Sequence, residues 1–278
     1  IISVLLLYLS SYNMIFALAL PIFLSINLSQ LDKNSNGIFL ILSMALAIAL
    51  DIKLGLGVFL PLLIYSLVMK LLIEKDYDDK KVIFILTSIL SIYIFSLLGY
   101  IYSKGYIKID QMTDMVSKIF KNEGLKIDED LLTISLSNIP AYCTVLSLIY
   151  TTISLKLVRN YLNYKNENIR DLKGINKFRL DLKDLSILAL MFLAFALIAH
   201  YMGISTKVIQ ANGVSILMSL LQINAILLID FFLEKRSSKS SRIINLVLII
   251  FLFALLSQIL SFIGLVDVFC DLRKKVRL

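Results

Sequence analysis

The sequence predicts an all-α, polytopic transmembrane helix bundle of about eight spans, with one amphipathic helix lying at the membrane interface. Three observations carry that expectation. The 278-residue chain is 59% hydrophobic with a mean hydropathy of +0.86, outside the range of ordinary water-soluble domains. Its apolar residues gather into runs near or above the ~20 residues that cross about 30 Å of hydrocarbon. None of these runs alternates apolar with polar residues as the strands of a barrel do, so helices are the available way to satisfy the backbone in lipid. The formal charge of +8 then reflects basic residues held at the cytoplasmic surface, and nucleic acid is not an expected partner.

The sequence opens at Ile1 inside an apolar run with no initiating methionine, which reads as a truncated start. Residues 1–28 form one kinked span, or the tail of one helix plus a short second, broken by Ser10, Ser11, Tyr12 and Asn13 and by Pro21. A polar turn, residues 30–37, precedes a run too short to cross alone. Asp51, Lys53, Gly55, Gly57 and Pro61 then interrupt the chain, so two short helices meeting at a break fit better than one rod. Asp51 and Lys53 read either as an exposed turn or as a contact at an unwound helix. After a charged turn, residues 82–102 are a clean span.

Residues 104–130 are the first sizeable polar stretch, and Met112, Met115, Val116, Ile119 and Phe120 trace one apolar face. Asp110 is placed to cap this helix and Gly124 to end it; it packs under the bundle, lies on the membrane or covers a site. Acids at Asp128, Glu129 and Asp130 open a Ser/Thr-rich span, residues 131–156. A basic loop, residues 156–183, follows and is expected in the cytoplasm. Spans at 185–202, 207–232 and 243–264 complete the chain. A fully crossing last span puts the tail of Arg273, Lys274, Lys275 and Arg277 outside, against the positive-inside rule, so that helix either re-enters or the tail is tolerated. The charged loops are too short to be domains, and residues 1–278 are expected to form a single integral membrane domain.

Two polar stripes are the candidate functional features. Asn212, Ser215, Ser219 and Gln222 recur at steps of three and four, with Asp230 several turns on, and therefore share a helix face that lipid penalises. Ser137, Pro140, Thr144, Ser147, Thr151 and Ser154 make a second stripe, and the two are expected to oppose each other. The ligand-binding candidates are Asn212, Ser215, Ser219, Gln222, Thr144 and Ser147. The plainer account is helix packing, because hydroxyls return a bond to the preceding turn and amides join helices. Asp230 is expected to be solvated or paired with Lys235 or Arg236.

Enzyme signatures do not stand out. His200 is the single histidine and has no cysteine set or Glu-x-x-His beside it, so no metal is expected. Gly213-Val214-Ser215 lacks the second glycine of a nucleophile elbow, since Leu217 stands there. No Gly-x-x-x-x-Gly-Lys stretch is available to cradle a nucleotide. Cys143 and Cys270 suggest no disulfide framework, and no cofactor is expected.

A set of short motifs adds a resemblance. Leu20-Pro21-Ile22, the Pro140-centred span, Phe178-Arg179 in the basic loop and Asn212 opening a later span precede a closing Gly264-Leu265-Val266-Asp267 and Asp271-Leu272-Arg273-Lys274. In these the chain resembles the YybS-like family of uncharacterised bacterial polytopic membrane proteins, defined by a domain of unknown function, over nearly its whole length. That family is distantly similar to substrate-binding membrane components of energy-coupling-factor transporters, which hold a small molecule between helices and rely on a separate ATPase module. The small-residue docking face of such components would fall on the first helix, where Ala17 and Ala19 are poor substitutes for it.

Two functions are therefore expected from the sequence. One is a small-solute binding or transport component in the bacterial cytoplasmic membrane, working with a separate energy-coupling module. The other is a non-catalytic scaffold that recruits a protein partner through its basic loop and tail, with Phe178, Arg179, Asp267, Asp271 and Arg273 as the contact residues. The lipid bilayer is a partner in both.

Overall fold

The computed structural model describes residues 6, 8–9, 14–31, 33–104, 109–122, 129–165, 177–201 and 206–275. The residue 10–13 break, the Gly124 helix end, Asp128, Arg170, Lys173 and Arg277 lie outside these. So do the side chains of Asp110, Glu129, Asp130, His200 and Lys275. Every regular element among the described residues is helical. After a short 3-10 turn, Met14–Leu18, come α1 (Leu20–Gln30), α2 (Lys33–Leu50), α3 (Leu60–Glu74), α4 (Asp79–Ser103), α5 (Ile109–Asn122) and α6 (Glu129–Ser137). They are followed by α7 (Ile139–Tyr164), α8 (Leu182–Tyr201), α9 (Thr206–Arg236), α10 (Lys239–Phe251), α11 (Phe253–Cys270) and α12 (Leu272–Lys275).

Four stretches among the described residues are long and apolar enough to cross a membrane: Gly55–Glu74, Asp79–Leu98, Ile139–Tyr164 and Thr206–Arg236. Phe16–Gln30, Asn34–Leu50, Ser240–Ile249 and Leu255–Cys270 are apolar but shorter. Against the expectation of about eight spans, the described residues thus show four long apolar helices and several shorter ones, and breaks divide runs that hydropathy alone reads as continuous. One break falls at Asn138, dividing the Ser/Thr-rich span into α6 and α7, and another at Leu252, dividing the last span into α10 and α11.

Contacts divide the chain into two compact units, residues 1–97 with 146–172, and residues 98–145 with 173–278. In the first, α1 packs on α3. Each begins with a proline in its first turn, where the missing N–H costs nothing. Ser25 and Ser66 return their hydroxyls to the carbonyls of Pro21 and Leu62 at 2.7 Å, which keeps the small side chains tight against their own helices. The two also bond across, Ser25 to Ser66 O at 3.4 Å and Ser66 to Pro21 O at 3.3 Å. Ala17, Leu20, Leu24, Ala47, Phe59, Leu62 and Leu63 form the core there.

The break expected after α2 is present. Asp51 leaves the helix in an extended conformation and its carboxylate accepts from Lys53 N at 2.7 Å, capping the next turn. Asp51 and Lys53 are exposed, in keeping with a turn. Gly55 then passes so close to α2 that an added Cβ would lie 2.9 Å from Ile48 N. A one-turn π-helix, Gly55–Phe59, leads into α3.

The second unit is built on α9. It contacts α6, α8, α10 and α11, while α5 packs on α6. On α5 the hydroxyls of Thr113 and Ser117 are buried, whereas Met115 and Ile119 on the apolar face are 69% and 57% exposed. The amphipathic helix therefore exists, with one edge of its oily face turned away from the protein.

Candidate functional site

The α6–α7 break explains Asn212. Pro140 cannot donate a backbone bond, and the helix interrupts at Asn138. In an uninterrupted helix Ala141 N–H would donate to Ser137 O. Here the Asn212 side chain stands between them: its Nδ2 donates to Ser137 O at 2.8 Å and its Oδ1 accepts from Ala141 N at 3.1 Å. Nδ2 also donates to Val208 O at 3.0 Å on its own helix. One buried amide thus satisfies both ends of a missing helical bond and ties α9 to the broken pair.

Gln222 lies ten residues further along and meets a different helix. Its Nε2 donates to Ser257 O at 3.2 Å and to Ser261 Oγ at 3.1 Å, both on α11. At Leu221, next to Gln222, the two helices touch backbone to backbone, because a Cβ on Gly264 would overlap the carbonyl oxygen of Leu221. Asn224, two residues past Gln222, is 2% exposed. Its Nδ2 donates to Gly264 O and Asp267 Oδ2, each at 3.2 Å. Its Oδ1 accepts from Leu180 N at 3.1 Å and Arg273 Nη2 at 3.2 Å. Two donors and two acceptors exhaust what an amide offers.

Asn224 is the hub of a charged clamp. Asp267, on the last turn of α11, has a fully buried side chain 3.4 Å from Arg273 Nε, and it accepts from Leu272 N at 3.2 Å. Asp271 reverses the chain in the left-handed conformation, φ 47°, so that α12 folds back toward α9. Arg273 donates to Phe178 O, and at 3.2 Å to Asn224 O. Arg179 completes the clamp from the segment before α8. It donates to Asp267 O at 3.2 Å and Val268 O at 2.9 Å, and pairs with Asp271 at 2.5 Å. A guanidinium on the last carbonyls of a helix is favourable both as a cap and toward the helix dipole. Partial burial pushes the Asp271 carboxyl up, but the bond from Lys274 and the charges of Arg179 and Lys274 outweigh it, leaving the group below its ordinary value. Asp181 and Asp184 cap the start of α8 reciprocally, at 2.8 and 3.0 Å.

The five residues Phe178, Arg179, Asp267, Asp271 and Arg273 are therefore brought together, bonded to one another, to Asn224 and to Val268, Leu272 and Lys274 beside them. Ser215, Ser219 and Thr144 are half-buried, and Thr144 returns its hydroxyl to Pro140 O at 3.0 Å. Ser147 is buried in the first unit, as are Thr151 and Ser154, both of which meet the hydroxyl of Tyr65 on α3, at 3.1 and 3.3 Å. Asp230 departs from expectation: it is held bidentately by Arg242 at 2.6 and 2.7 Å, not by Lys235 or Arg236. Those two sit further along the same helix, whereas Arg242 faces Asp230 across the turn into α10.

Residues 1–268 match the predicted membrane protein family DUF2232. The chain belongs to this family. The match covers nearly the whole chain, as the short motifs implied, and it brings no assigned activity. No curated protein and no solved structure matches the chain.

Some features of this DUF2232 chain that matter structurally do not stand out in sequence. Asn224 is one, and a buried ion pair is another. α7 runs on to Tyr164, so Arg159 belongs to a helix and not to the basic loop. It meets Asp79, the first residue of α4, at 2.5 Å with both side chains 1% exposed. No group of three or more metal-binding side chains occurs among the described residues.

Proposed function

We propose that this chain is a non-catalytic integral membrane scaffold whose polar stripes join its helices and whose basic loop and tail form a cytoplasmic face for a protein partner. The observation that carries this reading is how the amides of α9 are bonded. Asn212 fills a break in the α6–α7 helix, Gln222 donates to Ser257 O and Ser261 Oγ on α11, and Asn224, just off the stripe, spends all four of its bonds on neighbouring segments. A solute held between helices needs amides with bonding capacity left over. The exposed bases Lys177, Lys183, Lys235, Arg236 and Lys274 are assigned to that face. Basic residues in this position are those that the positive-inside rule assigns to the cytoplasm.

The test is a thermal-shift screen of the purified protein in detergent against vitamins, nucleobases and amino acids. Binding to the folded form stabilises it by about 2.7 kcal/mol at a hundred times the dissociation constant. The scaffold reading expects no concentration-dependent stabilisation from any of these. A compound that stabilises the protein, and no longer does so in Asn212→Leu, supports the solute-binding reading in its place.

A further inference from the structure

We infer that α10 and α11 form a re-entrant helix pair, entering the membrane and leaving it on one side, so that the basic tail shares a side with the loop before α8. The two ends of the pair are fixed by contacts. At its start, Arg242 holds Asp230 and Glu234 near the end of α9. At its finish, Arg273 and Asp267 hold Asn224, Phe178 and, through the Arg179 cap, the chain just before α8.

That finish is at the same end of the α8–α9 pair. α8 and α9 run antiparallel: the Phe192 ring packs on Gly213, and twelve residues back along the chain Leu180 bonds Asn224, eleven residues forward on α9. The start of α8 therefore lies beside the second half of α9, and the Thr206 end of α9 lies away from it. Between the two anchors, Gln222 meets Ser257 and Ser261, and Leu221 meets Gly264. Each of these contacts falls on residues 221–236 of α9. From Leu221 back to Thr206 is fifteen residues, about 22 Å of helix.

Length agrees. α10 has 13 residues, about 20 Å, well short of the ~30 Å of hydrocarbon. The chain turns at Leu252 without having the reach to cross. Around this turn the surface is oily: Phe251 is 85%, Leu255 80%, Ile244 64% and Val247 60% exposed. Such a tip is stable in lipid and not in water. The re-entrant path also removes the conflict over charge, since Arg273 and Lys274 come to lie on the side of Lys177, Lys183, Lys235 and Arg236.

Single cysteines in a Cys143→Ala, Cys270→Ala background, probed in sealed membranes with a thiol reagent that cannot cross them, test this. Lys183→Cys, Lys207→Cys, Phe251→Cys and Lys274→Cys all replace exposed side chains. Lys274→Cys is expected to label from the same side as Lys183→Cys and to lose its label on the side that reaches Lys207→Cys. Phe251→Cys is expected to stay unlabelled from both sides. Labelling of Lys274→Cys together with Lys207→Cys would overturn the inference, as would labelling of Phe251→Cys from either side. A topology reporter fused after Leu278 of the unaltered chain gives a second readout, and its location with Lys207 would be equally decisive against it.

Discussion

Arg273→Met attacks the clamp at its most connected cation. Arg273 donates to three oxygens, Phe178 O, Asn224 O and Asn224 Oδ1, and lies beside a carboxylate with no exposure of its own. Removing it leaves Asp267 charged and buried with only Asn224 and the Leu272 N–H as neutral donors. Breaking one side of a buried pair costs about 3–5 kcal/mol, and the 3.4 Å separation with partial access to solvent places this one near about 3. In a chain of this size that corresponds to a fall in Tm of about 6–12 °C. Thermal unfolding in lipid nanodiscs, followed by far-UV circular dichroism, measures it. Asp267→Asn should recover part of the loss when combined with Arg273→Met, because the uncompensated charge is then gone, giving a coupling of about 1 kcal/mol or more. A Tm unmoved by Arg273→Met, with additive single and double variants, would refute the clamp as an energetic unit.

Four further outcomes follow from the same structure. Gly264→Ala must push a Cβ into the Leu221 carbonyl, which is backbone and cannot yield, so a loss of about 1–3 kcal/mol is expected. Gly37→Ala meets nothing within 4 Å and should be neutral or stabilising in the same unfolding assay. Arg159→Met removes the guanidinium from a pair that is 1% exposed on both sides, and a loss of about 3–5 kcal/mol is expected in the same assay. The Asp271 carboxyl is held below its ordinary value of 3.8, so its stabilisation of the tail is complete above that pH and lost as pH falls through the lowered value. The Tm of the parent chain should therefore fall at the acid end of pH 2–6, and Asp271→Asn should shrink that fall.

What could be read in advance depended on whether a residue's role was local. Pro140 and Asn212 stood out because a proline within an apolar run and an amide within a membrane helix each pose a bonding problem visible in sequence. That each solves the other's was not visible, since the bond joins positions 71 residues apart. The break after α2 announced itself through Asp51, Gly55 and Pro61. The break at Leu252 has no glycine or proline beside it, so nothing local marks it within the apolar run. Asn224 hid because it sits two residues past Gln222, off the stripe that the helical period picks out. Arg159 and Asp79 were assigned to solvated loops by their charge, while the helices that carry them run further than the apolar pattern suggests. Phe178, Arg179, Asp267, Asp271 and Arg273, expected as contacts for a partner, come together in the chain itself, on the segment before α8 and on α9.

The claim on which the functional account stands is that the stripe amides are there to hold helices together. Unfolding of the Asn212→Leu, Gln222→Leu double variant in lipid measures it most directly. Leaving Ser137 O and Ala141 N without their partner should cost about 1–3 kcal/mol for each group, so a clear fall in stability is the expected result. A double variant as stable as the parent would contradict the account.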